Sequence, residues 1–280
     1  MTSATPQNSD NAPPARGTGM LYLVGAGPGD PGLITLRGFR CLQRADLVLY
    51  DYLVNPALLR YATKAEKIAL GHHSVSRCMS QDEINAIIRR AVREGKVVVR
   101  LKSGDPSVFG KSADEAVLLR REGIPIEIVP GITAGFAVAA FAGIPLTHAE
   151  CASAVALVAG QQSTTHEVRP LDYRVLAQFP GTLVVYMGVR SAETWSRALI
   201  EAGRAPTTPV AVIHRCSWPT QSIVRTTLAE VAERIRAEKI RPPAVVVIGE
   251  AVAHMPDAAT LPRRPLFGRT ILVTRPAHQN

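Results

Sequence analysis

The sequence predicts an α/β protein of two domains: a parallel, doubly wound sheet in the N-terminal half and a mixed-sheet α/β domain behind it. Strand-like and helix-like stretches alternate over residues 21–142, the order that places helices on both faces of a parallel sheet. Several apolar runs end in glycine-containing turns, the strand exits where such sheets approach a ligand. In the second half, the segments Gln221–Thr227 and Ala244–Ile248 point to a sheet of mixed direction.

The elements follow in order. Leu21-Tyr22-Leu23-Val24-Gly25-Ala26 is a β-rich run, and it enters the turn Gly27-Pro28-Gly29-Asp30-Pro31-Gly32 before a helix expected at 33–44. Further strands are expected at 46–50, 66–70, 97–101 and 126–129, with helices at 81–94 and 112–122. Ser80-Gln81-Asp82-Glu83 reads as a capping box, in which hydroxyl and carboxylate satisfy each other's backbone amides. Pro130-Gly131-Ile132-Thr133 opens a helix of small residues, Ala134–Ala142. Gly143-Ile144-Pro145-Leu146-Thr147-His148 then connects to the second domain, with strands expected at 153–159, 182–187, 209–213, 221–227 and 243–248 and helices at 191–202 and 228–238. The expected limits are a disordered lead-in over 1–18, domains over 19–147 and 148–255, and a tail over 256–280. In that tail, the Pro- and Arg-rich linker leads to Ile271–Thr274, a strand without a partner or following helix, as if another domain began there.

Composition narrows the classes. The 280 residues are 46% hydrophobic and 20% charged, and the mean hydropathy of +0.09 suits a globular chain. No run approaches the ~18 to 20 apolar residues of a membrane span, and residues 1–18 lack the apolar core of a secretion signal. A cytoplasmic protein with no membrane partner is therefore expected. Cys41, Cys78, Cys151 and Cys216 lie far apart with no C-x-x-C pair, so reduced thiols and no metal are expected. The net charge of +9 admits nucleic acid, a membrane surface or an acidic small molecule. Aromatic residues are only 5% and no dense Lys/Arg run occurs, so no nucleic acid is expected. A polycarboxylate substrate fits.

Two loops come close to phosphate-binding motifs and miss. A dinucleotide fingerprint needs glycine at position 30, where this chain has Asp30, and Pro28 and Pro31 remove two amide donors. Asp51, at the end of the 46–50 strand, stands about where a ribose-binding acid would sit, yet the missing third glycine argues against that use. Ser103-Gly104-Asp105-Pro106-Ser107-Val108-Phe109-Gly110-Lys111-Ser112 ends like a P-loop, but its first glycine falls one residue early. Both loops put a carboxylate where a phosphate would be repelled, so the expected ligand has a nucleoside-like shape without phosphates. With Pro130–Thr133 and Tyr186-Met187-Gly188, they are expected to converge on one crevice at the carboxyl ends of the strands.

Here pattern becomes resemblance. Val24-Gly25-Ala26-Gly27-Pro28-Gly29-Asp30-Pro31, Tyr50-Asp51-Tyr52-Leu53-Val54, Val99-Arg100-Leu101-Lys102-Ser103-Gly104-Asp105-Pro106 and Val129-Pro130-Gly131-Ile132-Thr133-Ala134 resemble the tetrapyrrole methylase family. Gly143–His148, Tyr186-Met187-Gly188, Pro242-Pro243-Ala244 and Ile248-Gly249-Glu250 carry the likeness to residue 253, closest to members that act on uroporphyrinogen III. The resemblance implies the two-domain fold of that family, S-adenosylmethionine as cofactor (S-adenosylhomocysteine as product), and commonly a homodimer. It implies methylation of uroporphyrinogen III at C2 and C7 to precorrin-2, on the route to sirohaem and cobalamin. Matching cofactor positions are Pro28, Ser103, Gly104, Asp105, Val108, Thr133, Ala134, Met187, Cys216 and Ala244. The candidate catalytic residues are Asp51 as base, His72 where the family has a lysine proton donor, and Lys111 where it has an arginine.

Departures cluster on the substrate side. Leu70-Gly71-His72-His73-Ser74-Val75-Ser76-Arg77 replaces a family segment with lysine, arginine and histidine, so that His73 stands for an arginine and Arg77 for a histidine. Ser103 stands for a glycine, and Tyr52 and Lys111 for arginines that could clamp carboxylates in bidentate fashion. Two alternatives follow: a weakly active or inactive module that binds cofactor or tetrapyrrole, or a methyltransferase for another precorrin. The tail from Pro265 to Gln279 resembles the opening strand of uroporphyrinogen-III synthase, which implies a synthase partner or fused domain.

Overall fold

The structure is a computed structural model that describes residues 19–71, 78–110, 112–161 and 170–256. They divide into two compact units, the first from the start through Ala26 plus Pro31–Gly131, the second Gly27–Asp30 plus Ile132 onward. The expected lead-in over 1–18 and the synthase-like tail beyond 256 lie outside the described residues.

The first unit alternates strand and helix as the sequence predicts: β1 (Met20–Gly25), α1 (Leu36–Arg44), β2 (Leu47–Tyr50), β3 (Glu66–Ala69), α2 (Gln81–Arg93), β4 (Val97–Lys102), α3 (Ser112–Arg121) and β5 (Ile126–Val129). Its sheet order is β3-β2-β4-β1-β5, and every pairing is parallel. Period-2 alternation separates two cores. Tyr22, Val24, Val48, Val99 and Leu101 pack with Cys41 and Leu42 of α1. Leu21, Leu23, Leu49 and Val98 face the other way, against Ile84 and Ile88 of α2 and Leu119 of α3. The capping box forms, with the Glu83 amide donating to Ser80 Oγ at 3.2 Å and the Ser80 amide to Glu83 Oε2 at 2.7 Å. The helix expected at 33–44 divides into a 3-10 turn, Pro31–Leu33, and α1. Thr35 is the reason: its hydroxyl caps α1 by accepting from the Gly38 amide at 3.1 Å, which starts the helix after it.

The second unit contains α4 (Ala134–Ala142), β6 (Val155–Ala159), α5 (Tyr173–Ala177), β7 (Thr182–Tyr186), α6 (Ala192–Glu201), β8 (Pro209–His214), β9 (Ser222–Thr227), α7 (Val231–Ala237) and β10 (Ala244–Ile248). Its sheet order is β6-β7-β10-β8-β9, with β6 and β7 parallel and the other pairs antiparallel, so the sheet is mixed as expected. Val185, Val212 and Val246 pack on Trp195 and Leu199 of α6 and on Val231 and Ile235 of α7. Trp195 is buried and donates its indole N–H to the Gly188 carbonyl at 2.8 Å, so its polar edge is satisfied. The opposite face, with Val184, Ile213, Val245 and Val247, packs on Ala137 and Val138 of α4. Helix α4 ends as its sequence requires, at Gly143 in a left-handed conformation (φ 67°).

Three short elements were not anticipated: the 3-10 turns Pro56–Tyr61 and Glu250–His254, and α5. Each is too brief to show helical periodicity. Two carry readable caps, with Asn55 accepting from the Ala57 amide and Asp172 from the Arg174 amide, both at 3.0 Å.

Candidate functional site

In the first unit, three strand-exit turns meet through glycine backbone. A Cβ on Gly25 would lie 2.5 Å from the Gly131 nitrogen, and one on Gly131 would lie 2.3 Å from the Gly104 carbonyl oxygen. Only hydrogen fits there. Gly104 is left-handed (φ 68°), which a side chain would strain. Asp105 fixes the loop. One carboxylate oxygen accepts from the Ser107 amide at 2.7 Å, the other from the Gly131 amide at 2.9 Å. Asp105 thereby ties the end of β4 to the end of β5, a loop-building use beside the ligand contact expected from sequence. Ser103 and Val108 are half-buried on the same loop. Phe109 lies there too, with a left-handed backbone and an exposed ring.

Asp51 follows β2, and its carboxylate is partly exposed. Arg100 Nη2 lies 2.7 Å from Asp51 Oδ1, while the Arg100 side chain is itself only 5% exposed. Strand alternation explains this: Val98, Arg100 and Lys102 share one face of β4, and past Val98 that face turns from apolar to charged. Glu115, on the buried side of α3, sits between the two cations, 3.7 Å from Arg100 Nε and 3.7 Å from Lys102 Nζ. Its side chain is fully buried, and neither carboxylate oxygen has a hydrogen-bond partner among the described residues. The four side chains form a formally neutral quartet. Burial pushes the Lys102 ammonium below its ordinary range, the neighbouring Arg100 adds to that, and Glu115 and Asp51 oppose it. Sequence analysis picked out Asp51 alone. The signal for the rest was two cations spaced i, i+2 inside an apolar strand.

The second unit gathers the remaining cofactor candidates. Thr133 is buried at the start of α4, and its hydroxyl meets the Tyr186 hydroxyl at 2.7 Å, which also accepts from the Gly135 amide. Met187 follows β7 with a left-handed backbone (φ 54°) and 49% exposure, an unusual combination for a thioether side chain. After β8, Arg215 (φ 49°) and Ser217 (φ 67°) flank Cys216 in the same strained region. Burial pushes the Cys216 thiol up to about 12, so it remains a neutral, weakly polar surface and no nucleophile. The Gly27–Asp30 segment lies against this turn, the Asp30 amide donating to Ser217 Oγ at 2.9 Å. A Cβ on Gly29 would lie 2.1 Å from Trp218 Nε1. Pro28, Ala134 and Ala244 are half-buried in this unit. The expected catalytic residues His72 and Lys111 lie outside the described residues. No helix among the described residues is long and apolar enough to cross a membrane.

Comparison with known proteins identifies the family. The family described as Tetrapyrrole (Corrin/Porphyrin) Methylases matches residues 20–232. An S-adenosyl-L-methionine-dependent uroporphyrinogen III methyltransferase of Methanosarcina barkeri is 44% identical over 240 residues, covering 85% of this chain and 94% of its own. A sirohaem synthase of Hydrogenovibrio crunogenus is 42% identical over 84% of this chain, which spans about half (49%) of that longer protein. Among solved structures, uroporphyrin-III C-methyltransferase of Thermus thermophilus complexed with S-adenosyl homocysteine is 40% identical, covering 83% of this chain and 93% of its own, with a TM-score of 0.71. The chain belongs to the tetrapyrrole methylase family.

Proposed function

We propose that this chain is an S-adenosylmethionine-dependent C-methyltransferase that methylates uroporphyrinogen III at C2 and C7, giving precorrin-2. The observation that carries the reading is the 44% identity to a uroporphyrinogen III methyltransferase over nearly all of that protein's length. A cytoplasmic homodimer with a synthase partner or fused synthase domain is the setting we infer, from the family resemblance and the synthase-like tail.

The residues fit the cofactor. Glycine backbone, small side chains, an exposed thioether at Met187 and the neutral Cys216 thiol suit a sulfonium nucleoside, whereas Asp30 and Asp105 disfavour a pyrophosphate. The positions we propose for the cofactor, from the family resemblance, are Pro28, Ser103, Gly104, Asp105, Val108, Thr133, Ala134, Met187, Cys216 and Ala244. When bound, the cofactor supplies a methyl group already activated on a sulfonium, so the protein's task is mainly alignment. Methylation of a pyrrole carbon leaves a cationic product that must lose a bridge proton. Asp51 would accept that proton, with Arg100 fixing the orientation of its carboxylate. His72 would donate a proton in place of the family's lysine, and Lys111 would engage a substrate carboxylate as a point charge.

The test is one incubation of the full chain with uroporphyrinogen III and S-adenosylmethionine, read by mass and absorbance. Two methyl additions with the spectrum of a dihydro-product are expected. No methyl addition to uroporphyrinogen III, with the cofactor left unconsumed, would overturn the assignment.

A further inference from the structure

A second cluster in the second unit belongs to none of these steps. His148 and Cys151 stand on a tight turn closed by mutual backbone hydrogen bonds between His148 and Ala152, both 2.9 Å, which holds the two side chains three residues apart. His254 reaches them from the 3-10 turn Glu250–His254, where Val252 packs into the core. The two imidazoles stack, with centroids 4.1 Å apart and planes inclined by 17°. One ligand atom from each of the three residues lies within 4.8 Å of the others. His148 and Cys151 are half-buried and His254 is exposed, so a cation could enter from solvent on the His254 side.

We propose that His148, Cys151 and His254 bind a zinc ion, with the fourth position taken by water. Two imidazoles and a thiolate are the borderline-soft set that zinc favours, and three protein ligands plus water is an established arrangement for it. In a zinc tetrahedron with bonds of about 2.0–2.3 Å, ligand atoms stand roughly 3.3–3.6 Å apart, so the cluster must close by about 1 Å through side-chain rotation. Binding displaces the Cys151 thiol proton to solvent as the sulfur–zinc bond forms. The weak 3.3 Å hydrogen bond from the Glu150 amide to His148 Nδ1 is given up when that lone pair or tautomer is claimed. The ion would then cross-link the turn after α4 to the segment that follows β10. Arg225 already pins that segment by donating to the Met255 carbonyl at 2.7 Å and to the Pro256 carbonyl. The expectation of no metal rested on the absence of paired cysteines. It overlooked His148-x-x-Cys151 because the third ligand lies about a hundred residues away.

The test titrates the reduced, metal-stripped full chain with Co²⁺ alone, without cofactor or tetrapyrrole, so that its outcome is independent of the proposed activity. One equivalent should give a thiolate-to-cobalt charge-transfer band that Zn²⁺ abolishes. Cys151→Ser should remove the band, and His254→Ala should weaken Co²⁺ affinity by at least ~10-fold, since even outer partners of such sites carry that much. Cys78→Ser is the control, because His72, His73 and Cys78 form the rival imidazole–thiol set in the sequence. No band in the unsubstituted chain, a band that survives Cys151→Ser, or one lost in Cys78→Ser would each overturn the proposal. If His254→Ala fails to fold by circular dichroism, the near-isosteric Cys151→Ser decides alone.

Discussion

Glu115→Gln probes the buried quartet behind Asp51, because it removes one charge while keeping shape. Glu115 attracts two cations at 3.7 Å each. At an effective dielectric near 20 each attraction is about 4 kcal/mol, but desolvation offsets much of it. What remains visible on deleting one partner of such a set is about 3 kcal/mol of folding stability, since Arg100 and Lys102 would then share Asp51 alone. Lys102 supplies a relief valve. Its folded pKa is already depressed by burial, so the unfolded chain binds its proton more tightly than the native state. Stability therefore rises with pH through the window between the lowered folded value and the ordinary 10.5, and the penalty is fully present below that window. Without Glu115, which raises the Lys102 pKa, the window extends further down. The deficit of Glu115→Gln against the unsubstituted protein should thus be largest on the acid side of that window and shrink as pH rises through it. Urea unfolding across that range measures it. A deficit that does not change with pH, or none at all, would refute the charge-quartet account.

Asp51→Asn should lower turnover by ~10² to 10⁴-fold while calorimetric affinity for S-adenosylhomocysteine stays near normal; near-normal turnover would reduce Asp51 to a partner for Arg100. Gly104→Val should weaken that affinity and cost at least about 1–2 kcal/mol in chemical unfolding, because a left-handed residue with a branched side chain is strained. Unchanged affinity in a folded Gly104→Val protein would remove the loop from cofactor contact. If His72 is the acid, the pH–rate profile of His72→Lys should keep or raise the native rate, with the alkaline limb moved upward. Three overlapping profiles for the native, Lys and Ala forms would take His72 out of the mechanism.

Much of the fold was legible because local and tertiary demands agree. The stretch Ala134–Ala142 lies between Pro130-Gly131 and its own stop at Gly143, and the helix takes the expected limits. Thr133 at its start makes no side-chain cap, and the Tyr186 hydroxyl accepts from the Gly135 amide instead. The sheet direction followed from spacing alone, since each strand of the first half is followed by enough chain to cross back over the sheet. Errors came where a side chain decided the boundary. Thr35 caps α1 and delays it, and Asn55 and Asp172 start turns too short for any period to register.

The site was legible unevenly, for a reason its residues make plain. A glycine-rich turn declares itself within a few positions, so Gly25, Gly104 and Gly131 could be suspected before their backbones were seen to touch. A charge cluster declares nothing locally. Arg100 and Lys102 break an apolar strand, which is visible, but the carboxylate that makes them tolerable sits on the next helix. Its identity depends on which face of α3 packs inward. Asp105 has a second use that its place beside Gly104 did not declare: both its oxygens accept from amides that close the loop. Such amide donors come from turns that only the fold brings together, so sequence alone does not count them. Among the described residues the Asp51 carboxylate meets one guanidinium and is partly exposed, which leaves it room for proton transfer.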